Sequence, residues 1–190
     1  MKSEPIEDQV FLGKTFEGNA LAQKDYEQCT FVNCIFQHAD LSRTIFSDCQ
    51  FKDCDLSMAT LNETAFRDTT FTNCKLLGLR FDTCNPFSLS FKFVGCTLQF
   101  SSFFRLKIPK TTFQDCKLEE VEFVEADLNN AVFSHCDLSR AIFQNSNLEG
   151  ADLRTAIHFS IDPEANRIQK AKFSRQNIAG LLDKYRILID

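Results

Sequence analysis

The stretch that decides the fold is Cys29-Thr30-Phe31-Val32-Asn33-Cys34-Ile35-Phe36-Gln37-His38-Ala39-Asp40-Leu41-Ser42-Arg43. Phe31, Phe36 and Leu41 recur every five residues, and two positions before each stands a small side chain, Cys29, Cys34 or Ala39. A period of five fits neither the helical period of about 3.6 nor the strand period of 2. A strict period of this kind is the mark of a repeat architecture. It needs a backbone that turns by about a right angle every five residues. The large and small residues then point inward, and the three remaining positions, mostly polar, face water.

Outward from this stretch the period holds. Every fifth residue from Phe11 to Phe81 is Phe, Leu or Tyr, and after a slip of two residues the pattern resumes at Phe93 and runs to Leu153. The chain has 21 Phe and no Trp, and 15 of the Phe are in phase. Burial of one such ring contributes roughly 1.5–3 kcal/mol, so an aromatic interior replaces the helices this sequence does not encode.

Ala39-Asp40-Leu41-Ser42-Arg43, Cys54-Asp55-Leu56-Ser57-Met58, Ala126-Asp127-Leu128-Asn129-Asn130, Cys136-Asp137-Leu138-Ser139-Arg140 and Ala151-Asp152-Leu153-Arg154-Thr155 follow an A(D/N)LXX pattern. In this the chain resembles the pentapeptide repeat proteins. The resemblance implies an all-β solenoid, a right-handed quadrilateral β-helix of twenty-residue coils stacked roughly 4.8 Å apart. Residues twenty apart then form ladders, Phe11/Phe31/Phe51/Phe71 and Phe103/Phe123/Phe143. The expected organisation is a β-helix over 1–160, irregular near 84–97, and a C-terminal cap over 161–190.

Three places break the rule. At the start, the small positions hold Lys14, Asn19 and Lys24, which suggests a frayed first coil or a cap. In the middle, Pro86 takes the place of a large apolar residue, and Phe87, Leu89, Phe91 and Phe93 alternate as in a flatter strand, while Phe100 and Phe104 fall outside the inward set. At the end, Pro163 marks a turn, Ser174 or Asn177 caps a short helix through Tyr185, and 186–190 reads as a strand.

All nine Cys (29, 34, 49, 54, 74, 84, 96, 116 and 136) take the small inward position, which predicts reduced, buried thiols. His38, His135 and His158 have no ligand-spaced neighbours, and no nucleophile or phosphate-loop motif occurs. The sequence therefore predicts neither enzyme activity nor a metal or cofactor. Without an apolar span or signal core it is expected to be a soluble cytoplasmic chain with no membrane contact.

Net charge is −5, which argues against direct nucleic-acid binding. Residues 1–153 carry 22 acids and 14 bases, whereas 154–190 carry 4 acids and 7 bases. Two outward acidic groupings are candidate partner-binding surfaces. One is Asp25, Glu27, Asp48 and Asp68; the other is Asp115, Glu119, Glu120, Glu122, Glu125 and Asp127.

Within the family the layout is similar to the quinolone-resistance type. That resemblance implies an acidic rod imitating duplex DNA toward DNA gyrase or topoisomerase IV. It also implies a homodimer joined through the C-terminal segment, here Leu181, Leu182, Tyr185, Ile187, Leu188 and Ile189. The alternative is a plain interaction scaffold for another protein partner.

Overall fold

The computed structural model describes residues 4–18, 21 and 24–188. The chain winds as a coil whose turns stack in parallel, residues pairing with those twenty further on (Ile6 with Tyr26, Phe11 with Phe31, Asp55 with Lys75) except at one slip, where Phe71 pairs with Phe93. The four sides are the first face (Ile6, Tyr26), the second (Phe11, Phe31), the third (Phe16, Phe36) and the fourth (Leu21, Leu41).

The first two faces carry strands: β1 (Ile6–Glu7), β2 (Val10–Leu12), β3 (Asp25–Glu27), β4 (Thr30–Val32), β5 (Ile45–Ser47), β6 (Gln50–Lys52), β7 (Ala65–Arg67), β8 (Thr69–Thr72), β9 (Phe91–Val94), β10 (Thr112–Gln114) and β11 (Val132–Ser134). They make a four-stranded sheet β1-β3-β5-β7 on the first face and a seven-stranded sheet β2-β4-β6-β8-β9-β10-β11 on the second. The other faces are joined by single bridges such as Ile35↔Asp55 and Asp40↔Thr60.

The corners explain the period. After Phe36 and Leu41 the chain folds back, with Ala39 N–H donating to Phe36 O at 2.9 Å and Thr44 N–H to Leu41 O at 3.0 Å. The residue two past most of the large side chains has positive φ, as at His38 (57°) and Arg43 (59°). Among the described residues twenty-five non-glycines adopt such angles. A type II turn requires positive φ at that position, and Asn and Asp tolerate it better than most residues. Asp8, Asp48, Asp53, Asp68, Asn73, Asp115, Asn130 and Asn145 all occupy it.

Inside, aromatic rings stack in columns. The second-face column runs Phe11, Phe31, Phe51, Phe71, Phe93, Phe113, Phe133, with centroid spacings from 4.8 to 5.4 Å. The fourth-face column begins at Phe81 and continues through Phe103, Phe123 and Phe143. Both are longer than the ladders expected from spacing alone, because the two-residue slip does not interrupt them. Neighbouring columns meet edge to face, as for Phe31 and Phe46 at 82°.

The small inward side chains have a second task. Many of their hydroxyls and thiols reach a backbone carbonyl of the previous coil: Thr44 Oγ1 to Leu21 O at 2.9 Å, Thr64 Oγ1 to Leu41 O at 2.8 Å, Cys54 Sγ to Phe31 O at 3.4 Å. Cys96 Sγ does the same to Phe71 O at 3.4 Å, across the slip, so Cys74 and Cys96 belong to one continuous thiol column. All nine cysteines are buried and unbridged.

The slip is an insertion in the first face. Asn85 N–H donates to Thr64 O at 2.9 Å, in register, whereas Thr69 N–H donates to Ser90 O at 3.1 Å, two residues out of register. Pro86 has no N–H for the ladder, and the four-stranded sheet ends at β7. Of the alternating run, Phe91 and Phe93 are buried, Leu89 is half-buried and Phe87 is 71% exposed.

Pairing continues to Asp152↔Lys172, with Phe159 and Ile161 buried beneath the cap. Asn177 closes the end: its Nδ2 donates to Leu153 O at 3.3 Å and Ala156 O at 2.6 Å. The expected short helix is instead two 3-10 turns, Ile178–Leu181 and Asp183–Tyr185. Arg186 turns left-handed at φ 51° and 186–188 form no strand, so the expected terminal strand is corrected over those residues; Ile189 and Asp190 lie outside the described residues. Gly180 sets this geometry, since a Cβ there would collide with Phe159 O.

At the other end β1 and β2 pair normally with the next coil, so the first coil is formed, while Lys14 and Lys24 are exposed. Asn19 lies outside the described residues.

Candidate partner-binding surface

The two predicted acidic groupings have different fates. Asp25, Glu27, Asp48 and Asp68 lie together on the first face, on or beside β3, β5 and β7. Sequence reasoning missed that Glu7 and Asp8 extend the same strip by one coil, since β1 pairs with β3 in register. The shared twenty-residue spacing of Glu7 with Glu27 was the signal. Glu7, Asp8, Glu27, Asp48 and Asp68 are exposed and Asp25 is half-buried, with Arg67 set among them. The strip stops at the insertion.

The second grouping is a ring. Asp115 stands on the second face, Glu119 and Glu120 on the third, Glu122 and Glu125 on the fourth and Asp127 on the first, so no single surface holds them. They are also tied to neighbouring coils. Arg140 bridges Glu119 and Glu120, Arg105 pairs with Glu125 at 2.7 Å, and Asp115 lies 3.7 Å from His135. Ser102 donates to Glu122 at 2.6 Å and Asn147 to Asp127 at 2.7 Å. The hydrogen bond from Arg105 holds the Glu125 carboxyl below the usual carboxylate range.

The proposed dimer residues also divide. Leu181 packs against the core and Leu182 is half-buried, whereas Tyr185, Ile187 and Leu188 are 52%, 55% and 96% exposed. Beside them Lys184 holds Asp162 and Glu164 at 2.7 and 2.6 Å.

An open groove of about 570 Å³ runs beside the insertion, between Glu63, Asp82, Thr83, Cys84, Pro86 and Phe104. Asp82 is bound to Arg80, and Arg105 lies 4.6 Å over the Phe104 ring. Phe100, also outside the inward set, is 60% exposed. Among the described residues no three His, Cys, Asp or Glu side chains converge to hold a metal ion, and no helix is long and apolar enough to cross a membrane. The surface offers charge and shape to a partner.

Comparison with known proteins agrees with the coil. The model of a pentapeptide repeat region matches residues 44–123, and that of pentapeptide repeats in eight copies matches 15–48 and 122–157. A trypsin-treated variant of QnrB1, a plasmid-mediated fluoroquinolone resistance protein, superposes with a TM-score of 0.64 at 20% identity, over 98% of this chain and 100% of that one. A second trypsin-treated QnrB1 variant gives a TM-score of 0.52 at 22% identity, over 97% and 99% of the two chains. No curated protein matches the sequence.

Proposed function

Since this chain belongs to the pentapeptide repeat family, we propose that it is a protein-binding rod whose acidic first face imitates duplex DNA toward a type II topoisomerase, DNA gyrase or topoisomerase IV. The observation that carries this reading is the strip Glu7, Asp8, Asp25, Glu27, Asp48 and Asp68. Six carboxylates over about 14 Å of rod give one per roughly 2.4 Å, against one phosphate per ~1.7 Å of duplex axis. The strip suits a groove built to receive phosphates. The fold shared with QnrB1, a fluoroquinolone resistance protein, supports the choice of enzyme class. A target of that class places the chain in the cytoplasm.

The exposed Tyr185, Ile187 and Leu188 at the C-terminal end support a homodimer in which two acidic arms flank a more basic centre. Gyrase-catalysed supercoiling in the presence of a quinolone tests the reading. Added chain should restore supercoiling, and Glu27→Gln/Asp48→Asn/Asp68→Asn should reduce that protection at least tenfold, while Asp115→Asn leaves it unchanged. No protection, together with no binding to immobilised gyrase or topoisomerase IV, refutes it.

A further inference from the structure

The first face is bipolar about its insertion. Four paired levels precede it, at β1, β3, β5 and β7, and four follow, joined by the bridges Lys107↔Asp127↔Asn147↔Arg167. The leading half carries Glu7, Asp8, Asp25, Glu27, Asp48 and Asp68 against Lys24 and Arg67. The trailing half carries exposed Lys107, Lys110, Arg167 and Lys170, with Asp127 and Glu149 both half-buried. Asp127 accepts from Asn147, and Glu149 is held by Arg167 at 3.3 Å. At the midpoint Phe87 stands in the inserted segment, its N–H held by Asn85 Oδ1 at 2.9 Å, its ring 71% exposed beside exposed Pro86.

We propose that this face docks on the same face of a second copy, antiparallel, about a two-fold axis through the insertion. The rotation fixes which levels meet. Glu7 and Asp8 meet Arg167 and Lys170 of the other copy, and Asp68 meets Lys107 and Lys110. The intermediate levels place Asp25 and Glu27 opposite Asn147 and the Arg167-bound Glu149, and Asp48 opposite Asp127, Asn129 and Asn130. Attraction is thus concentrated at the ends and beside the centre, where the two Phe87 rings meet on the axis. A two-fold contact uses each complementary pair twice.

The contact is about 38 Å long and one face wide. That is smaller than a standard stable interface, so the association is weak, and it is sensitive to salt because its charges are exposed. The inference rests on the charge layout alone and is independent of the topoisomerase reading. It does imply that any basic partner competes with the second copy for the acidic half.

The test is sedimentation of the full chain without any partner. In the Leu188→Asp background, which removes the exposed C-terminal apolar contact, the chain at about 100 μM should dimerise at ~20 mM salt and dissociate at ~500 mM. Asp68→Lys and Lys107→Glu/Lys110→Glu variants in that background should each be monomeric, since like charges then meet. Mixed in equal amounts they should form a heterodimer, because both contacts become complementary. Lysine is accepted at position 68, for Lys110 and Lys170 adopt the same left-handed angle. A monomeric Leu188→Asp chain at low salt, or variants that self-associate as well as their parent, overturns the proposal. So does a mixture that fails to associate when both variants keep the parent's melting temperature.

Discussion

Phe71 and Phe93 stack with centroids 5.4 Å apart and planes 12° apart, although two more residues separate them than separate any other neighbours in their column. The insertion is therefore absorbed within one face of one coil. The second- and fourth-face columns do not register it; the first face does, where the sheet ends and Phe66 meets Phe91 tilted by 53° rather than stacked. An aromatic column holds its spacing because each ring is clamped by the rings above and below and by the adjacent columns. The outward chain between Pro86 and Ser90 has no such constraint.

That contrast gives the first prediction. Phe51 is fully buried between Phe31 and Phe71, and Phe51→Ala should cost about 3–5 kcal/mol. Phe87→Ala should change stability by no more than about 0.5 kcal/mol. Urea midpoints of the two variants check both. A loss below about 1 kcal/mol at Phe51 sinks the inward assignment.

The cysteines should be chemically silent in the folded protein. Burial pushes the Cys49 thiol up to about 12, and it also raises Cys34. Hydrogen bonds between stacked thiols raise Cys74 and Cys116 and lower Cys54 and Cys96, but the lowered pair are as buried as the rest and out of a reagent's reach. The thiolate is the reactive form. Iodoacetamide at pH 8 should therefore leave the native chain unlabelled and add nine groups once it is unfolded. Several adducts on native protein, read by intact mass, contradict the burial.

The cap should depend on Asn177 and Gly180. Asn177→Ala leaves Leu153 O and Ala156 O without their side-chain donor, at a cost of about 1–3 kcal/mol. Gly180→Ala forces the cap off Phe159. Amide exchange should accelerate over 174–186 in both variants and stay slow at Phe113 and Phe133. Unchanged exchange over the cap means that Asn177 is not its anchor.

Acid should loosen the cap before the coil. The Lys184 ammonium holds the Asp162 and Glu164 carboxyls below their ordinary values. Their contribution is present above the unfolded-state values of about 4, and it fades as pH falls through the depressed folded ones. Exchange at Leu182 and Tyr185 should rise between about pH 4 and 2, and Lys184→Met should abolish that dependence. A cap insensitive to pH in that window refutes the linkage.

Much of this was legible beforehand. The five-residue period places Phe31, Phe51, Cys54 and Leu128 inside, because a backbone that turns at every pentad leaves only two inward positions. The spacing also put Asp48 and Asp68 on one face. Asp115 to Asp127 looked dense in sequence but occupies one whole turn of the perimeter, so closeness along the chain became dispersion in space. The C-terminal segment was the least legible. Its shape follows from the close approach of Gly180 to Phe159, a contact between segments that no local pattern encodes.

The left-handed corners separate charge from architecture. Asp8, Asp48, Asp68 and Asp115 stand where Asn33, Asn73, Asn130 and Asn145 stand at other corners, at similar φ between 47° and 56°. Aspartate and asparagine are near-equal in shape and tolerate this angle equally. The rod's electrostatic potential can therefore drift from neutral to strongly negative by exchanges invisible to the core. Lineages sharing one scaffold could diverge in whom they attract while their melting behaviour stays the same.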